Sequence, residues 1–117
     1  MTYHILLFQF VRIHRVYILA ATLPIKLIER SIEHIFSFSG HPSWSFINIT
    51  QETVNETMLL KTLFLQEMFK RGVLILSTHN ISYAHSSSDV KELLVAYSET
   101  MEIIKNSVKN NSIQDSL

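Results

Sequence analysis

Apolar residues at positions 90, 93, 94, 97, 101 and 104 keep the i, i+3, i+4, i+7 rhythm of one helix face. Ser86-x-x-Asp89 stands just before them as a capping box. The pattern predicts a helix that starts after Ser86 and runs to about 104. A second helix is predicted over 53–71. Thr53-x-x-Glu56 caps it, and Met58, Leu59, Leu63, Met68 and Phe69 form a broad apolar face. Lys70 and Arg71 suit the negative C-terminal end, and Gly72 suits a left-handed stop. Ile25, Leu27, Ile28, Ile32 and Ile35 predict a third helix over 24–35, opened by Pro24.

Other stretches read as strands or breaks. Trp44, Phe46, Ile47 and Ile49 are aromatic and β-branched and predict a strand over 43–49. The short apolar run Val73, Leu74, Ile75, Leu76 predicts a buried strand. Thr78, His79 and Asn80 follow as a turn, and Ile81 and Tyr83 alternate with Ser82 and Ala84 in a further strand. Phe38, Ser39, Gly40, His41 and Pro42 read as a break, with Gly40 as a turn residue. The polar stretch from Asn106 to Leu117 is expected to fray. The order is helix, strand, long helix, two strands, helix. It predicts an α+β fold: a small three- to four-stranded, mainly antiparallel sheet with helices packed on one face. Three segments follow: an atypical apolar stretch over 1–37, a domain over 38–105 and a polar tail over 106–117.

The first segment raises the question of a membrane. An apolar run from Ile5 to Val11 is followed by Arg12, His14 and Arg15, then by a second run from Val16 to Ala21. A spanning helix needs roughly 20 apolar residues, and a central arginine costs several kcal/mol. A signal peptide carries its charge before the apolar run, not within it. The stretch therefore reads as buried or partner-covered, and membrane insertion is not expected.

Composition narrows the classes further. The 117 residues are 47% apolar and 17% charged, which is globular. Net charge is zero, so no nucleic-acid partner is expected, because phosphate binding needs clustered Lys and Arg. The absence of cysteine removes disulfides, thiolate metal sites and cysteine nucleophiles, and fits a reducing, cytoplasmic setting. Four Asn-x-Ser/Thr triplets, at Asn48, Asn55, Asn80 and Asn110, read as chance without a secretion signal.

Catalytic chemistry is not visible in the residues alone. No two of the six histidines stand at i, i+3 or i, i+4, so no metal site is expected. Two glycines cannot build a phosphate cradle. Glu52, Glu56, Glu67, Glu92 and Glu99 read as a charged exterior, and Trp44 as core.

Two stretches carry a resemblance. Ser39, Gly40, His41, Pro42, Ser43, Trp44, Ser45, Phe46 resembles the strand that opens the small C-terminal domain of class III pyridoxal-phosphate aminotransferases. The nearest branch is that of glutamate-1-semialdehyde aminomutase. The run from Leu60 to Leu76, with Met68, Phe69, Lys70, Arg71, Gly72, Val73 at its centre, resembles the family helix ending in "ML-x-R-G-V/I". Beyond it come Ser77, Thr78, His79 and Asn80, then Ala84-His85 and Ser86-x-x-Asp89-Val90, in the family's order. The resemblance spans about 65 residues, from about Phe38 to Ile104. The chain also departs from the family: Glu33, His34, Ile35, Phe36 lead almost directly into the first stretch, and residues 1–17 match nothing in it.

The resemblance implies a fragment without the domain that holds the cofactor. Complete enzymes of the family bind pyridoxal phosphate on a lysine of a large domain. None of Lys26, Lys61, Lys70, Lys91, Lys105 and Lys109 stands in a similar motif. Neither catalytic nor cofactor-binding residues are therefore expected in this chain, nor is a metal. In the family, the loop after the Arg-Gly-Val strand approaches the substrate cleft. His79 and Asn80 occupy that loop here and are the candidate cleft residues; a polar turn is the plainer reading. The expected partners are an aminotransferase-like large domain or a second copy. The alternative is a small interaction module that associates through exposed apolar surface.

Overall fold

A computed structural model of the chain describes residues 22–27, 29–30, 32–41, 44–80 and 85–117. It is an α+β arrangement with a three-stranded antiparallel sheet in the order β1-β2-β3. The strands are β1 (Phe36–His41), β2 (Trp44–Ile49) and β3 (Thr78–His79). Two long helices, α1 (Val54–Lys70) and α2 (Ser87–Lys109), complete the fold. The readings made for residues 1–21 and for a strand over 81–84 lie outside the described residues.

Both predicted capping boxes form. The Thr53 hydroxyl accepts the Glu56 N–H at 3.1 Å, and the Glu56 carboxylate accepts the Thr53 N–H at 3.2 Å. Ser86 and Asp89 do the same at the start of α2. Gly72 follows α1 with φ +79°, the left-handed stop its position predicted.

One core joins the layers. Leu60, Leu63, Phe64 and Met68 of α1 meet Tyr97, Met101 and Ile104 of α2, and Phe36, Ile47 and Ile49 close the core from the sheet. Burying each such side chain contributes about 1.5–3 kcal/mol. In β2 the alternation puts Ser45, Ile47 and Ile49 on the helix side and Trp44, Phe46 and Asn48 on the other. Among the described residues, the helices thus cover one face of the sheet.

Several local expectations are corrected. Helical residues run over 22–27 and at 29, and residues 33–35 form a turn, so the helix expected to reach 35 stops early. Residues 38–41 of the expected break belong to β1, which begins at Phe36. Phe36 and Phe38 alternate with Ser37 and Ser39, the period-2 signature of a half-buried strand. Gly40 lies in that strand at φ +84°, where a Cβ would stand 2.8 Å from the Trp44 carbonyl oxygen.

The run 73–76 forms no strand, and Leu74 and Leu76 are exposed. The strand on this side of β2 is instead Thr78–His79, within the expected turn. The C-terminal stretch has regular structure where a frayed end was expected. α2 continues to Lys109, and a 3₁₀ turn at Gln114–Ser116 folds back. There the Gln66 amide donates to the Ser116 carbonyl at 3.0 Å. Among the described residues, no helix is long and apolar enough to cross a membrane.

Candidate functional site

β3 delivers His79 into the core, because the residue opposite it on β2, Ser45, faces the helices. The Ser45 Oγ lies 3.0 Å from His79 Nδ1, and the Tyr97 hydroxyl of α2 lies 2.6 Å from His79 Nε2. His79 is buried and Tyr97 fully so. The ring of Phe38 packs edge-on against Tyr97 at 6.4 Å and lies 6.1 Å from the imidazole. Both imidazole nitrogens are therefore engaged, and the group ties sheet to helix.

Burial pushes the His79 imidazole down to about 4 and pushes the Tyr97 phenol up. At neutral pH the ring is neutral and the phenol protonated. Two hydrogen-bond arrangements satisfy the trio. In one, Tyr97 donates to Nε2 and Nδ1–H donates to Ser45. In the other, Nε2–H donates to Tyr97 and Ser45 donates to Nδ1. A base this weak does not drive proton abstraction at pH 7, where a general base works best near the operating pH.

His79 and Asn80 border one open cleft of about 440 Å³, between the loop after α1 and the start of α2. Asn80 is exposed, whereas His79 turns its polar atoms to Ser45 and Tyr97. Arg71, Thr78, His85 and Glu92 also line the cleft. None of the six lysines borders it. Among the described residues, no group of three His, Asp or Glu side chains is placed to hold a metal.

No family model, curated protein or solved structure matches this chain.

Arg71 is the strongest charged feature of the cleft wall. Its guanidinium donates to the Glu67 carboxylate at 2.8 Å, to the Glu67 carbonyl at 2.9 Å and to Glu99 of α2 at 2.8 Å. Lys70 meets the other Glu67 oxygen at 3.1 Å. Glu67 is therefore buried, not part of the charged exterior expected of it. Burial alone would raise its carboxyl. The hydrogen bonds from Arg71, Lys70 and Gln66 outweigh that and hold it below the usual carboxylate range. The same pairing with Glu67, against the cost of burial, holds the Arg71 guanidinium above its ordinary value.

Trp44 is the other correction. It is 60% exposed on the open side of the sheet, 5.7 Å from the ring of Phe46. The readings of Ser45 as one strand residue and of Tyr97 as one of a helical stripe missed their shared bond to His79. The Glu67, Lys70, Arg71 spacing, at i+3 and i+4, was the available signal for the ion cluster.

Proposed function

We propose that the chain is a fragment similar to the small C-terminal domain of a class III pyridoxal-phosphate aminotransferase, of the glutamate-1-semialdehyde aminomutase kind. On this reading its residues carry no amino transfer by themselves, and it acts in the cytoplasm. The observation that carries the reading is the ordered series of motifs. The Gly40, His41, Pro42 stretch precedes a capped helix that ends in Lys70, Arg71, Gly72, Val73, and a loop with His79 and Asn80 leads to a capped last helix. The two-layer arrangement, with His79 and Asn80 at a cleft free of lysine, is compatible with it.

The test is spectroscopic. Purified chain is mixed with pyridoxal phosphate, reduced with borohydride and weighed by mass spectrometry. The expected result is no shift of cofactor absorbance and no adduct at a single lysine. A stoichiometric adduct on one lysine, or amino transfer by the chain alone, would overturn the proposal. Co-purification with a class III aminotransferase cut before its own small domain is the complementary expectation, and its failure counts against the family reading.

A second reading, a small interaction module, is favoured by one observation: Trp44 and Phe46 lie side by side on the open face of the sheet. Light scattering after size exclusion separates the two. A clean monomer that binds no hydrophobic dye removes the association role.

A further inference from the structure

β2 and β3 part company at Ser77. The Ile47 N–H donates to the Ser77 carbonyl at 2.8 Å, and Ser45 stands opposite His79. The Thr50 N–H instead donates to the Ile35 carbonyl at 2.9 Å, on the β1 side. Backbone groups of a strand alternate in direction. Residues 45, 47 and 49 therefore aim their N–H and C=O groups at the β3 side. Ile49 does so one step beyond the last residue that β3 offers.

The register says what is missing there. His79 opposite Ser45 and Ser77 opposite Ile47 would bring Ile75 opposite Ile49. Residues 73–76 do not take that path. The Val73 N–H is held by the Met68 carbonyl at 3.0 Å, at the end of α1. In place of the missing strand is a groove of about 500 Å³. Ile47, Ile49, Phe64, Leu65 and Leu76 supply its apolar walls. Lys61 is the charged group of its lining, is exposed, and makes no ion pair among the described residues.

We propose that this groove receives an extended apolar peptide segment of another protein that carries a carboxylate. The segment continues β3 along β2, exchanges main-chain hydrogen bonds with Ile49, and sets its carboxylate against Lys61. Strand addition of this kind draws affinity from the main chain and specificity from side-chain pockets. A small fatty acid would satisfy Lys61 and the apolar walls but not the Ile49 amide and carbonyl, which is why a peptide is preferred.

The probe is the peptide Gly-Val-Leu-Ile-Leu, the sequence of residues 72–76, labelled with fluorescein at its N-terminus and read by anisotropy against the full chain. Saturable binding of the free acid is expected. The C-terminal amide, or the chain variant Lys61→Glu, should weaken it about fivefold, the worth of one exposed ion pair. Proline in place of the peptide isoleucine should weaken it about tenfold through the lost main-chain donor. Lys61 is exposed, so the variant is expected to keep the native circular dichroism. No saturation by about 1 mM peptide, a dissociation constant worth only some 4 kcal/mol, would overturn the proposal. Equal binding of the proline peptide, or displacement by hexanoate at matched concentration, would overturn it in favour of a plain apolar or small-acid site.

Discussion

An imidazole buried in a core with only neutral hydroxyl partners has no opposite charge to offset the cost of desolvating a second ring proton. His79 is in that position, and burial pushes its titration down to about 4 from the ordinary 6.5. The consequence for stability has a definite sign. Between those values the unfolded chain binds a proton that the folded chain refuses. The contribution is complete above about pH 6.5 and is lost progressively as pH falls toward 4. Its size is roughly 3 kcal/mol, since each tenfold change in proton affinity is worth about 1.4 kcal/mol. Urea unfolding at pH 7.5 and pH 4.5 should show the loss in the native chain and a much smaller one in His79→Phe. An identical pH slope in the two proteins would remove His79 as the cause. Tyr97→Phe should cost about 1–2 kcal/mol at pH 7.5, because it leaves Nε2 buried without its partner. The sequence pointed to His79 through its place in a loop, not through this role. Its partners lie 34 and 18 positions away, and no local spacing announces contacts that only the closed fold creates.

At the scale of elements, the helices were the legible part. Each carries its start signal and its apolar rhythm within a few turns, so local sequence suffices. Strands depend on partners. The run 73–76 has a strand's composition, yet the end of α1 holds Val73 and the sheet is reached only at Ser77. β1 was missed for the opposite reason: Phe36 and Phe38 alternate plainly, but helical spacing through Ile32 and Ile35 competed for the same residues. The joint between α1 and α2 shows how burial ranks charges. Arg71 spans Glu67, with a side chain 8% exposed, and Glu99, 56% exposed. Arg71→Ala leaves the Glu67 carboxylate with Lys70 as its remaining cation and should cost about 3 kcal/mol, as for a broken buried pair. Glu99→Ala removes only an exposed partner and should cost less than about 1 kcal/mol. Thermal unfolding of both variants decides the matter, and comparable losses would mean that the Glu67 pair carries no special weight.

For the whole molecule the decisive asymmetry is between the two faces of the sheet. The helices cover the side of Ser45, Ile47 and Ile49. Strand alternation and register place Ser37, Ser39, His41, Trp44, Phe46, Asn48 and Thr78 on the other side, and none of these is Lys, Arg, Asp or Glu. The chain as a whole has zero net charge, so two copies meet without long-range repulsion. A large aromatic side chain has about 150–250 Å² of surface; with Trp44 60% and Phe46 36% exposed, the rings of two copies have roughly 450 Å² left to bury, worth about 10 kcal/mol at about 25 cal/mol per Å². That is of the order of the roughly 4–15 kcal/mol lost in bringing two molecules together. Association through this face is therefore expected to be weak and dependent on concentration. Trp44 is the single tryptophan and reports on the face directly. Its emission should be that of a solvated indole in dilute protein and should shift to the blue as concentration and scattering mass rise together. Phe46→Ser should abolish both changes at only a small cost to the unfolding midpoint, since Phe46 lies outside the core. Constant emission and a monomer's mass across the whole range would leave the open face without a role in self-association, and the peptide groove beside Lys61 would become the better place to look for a partner.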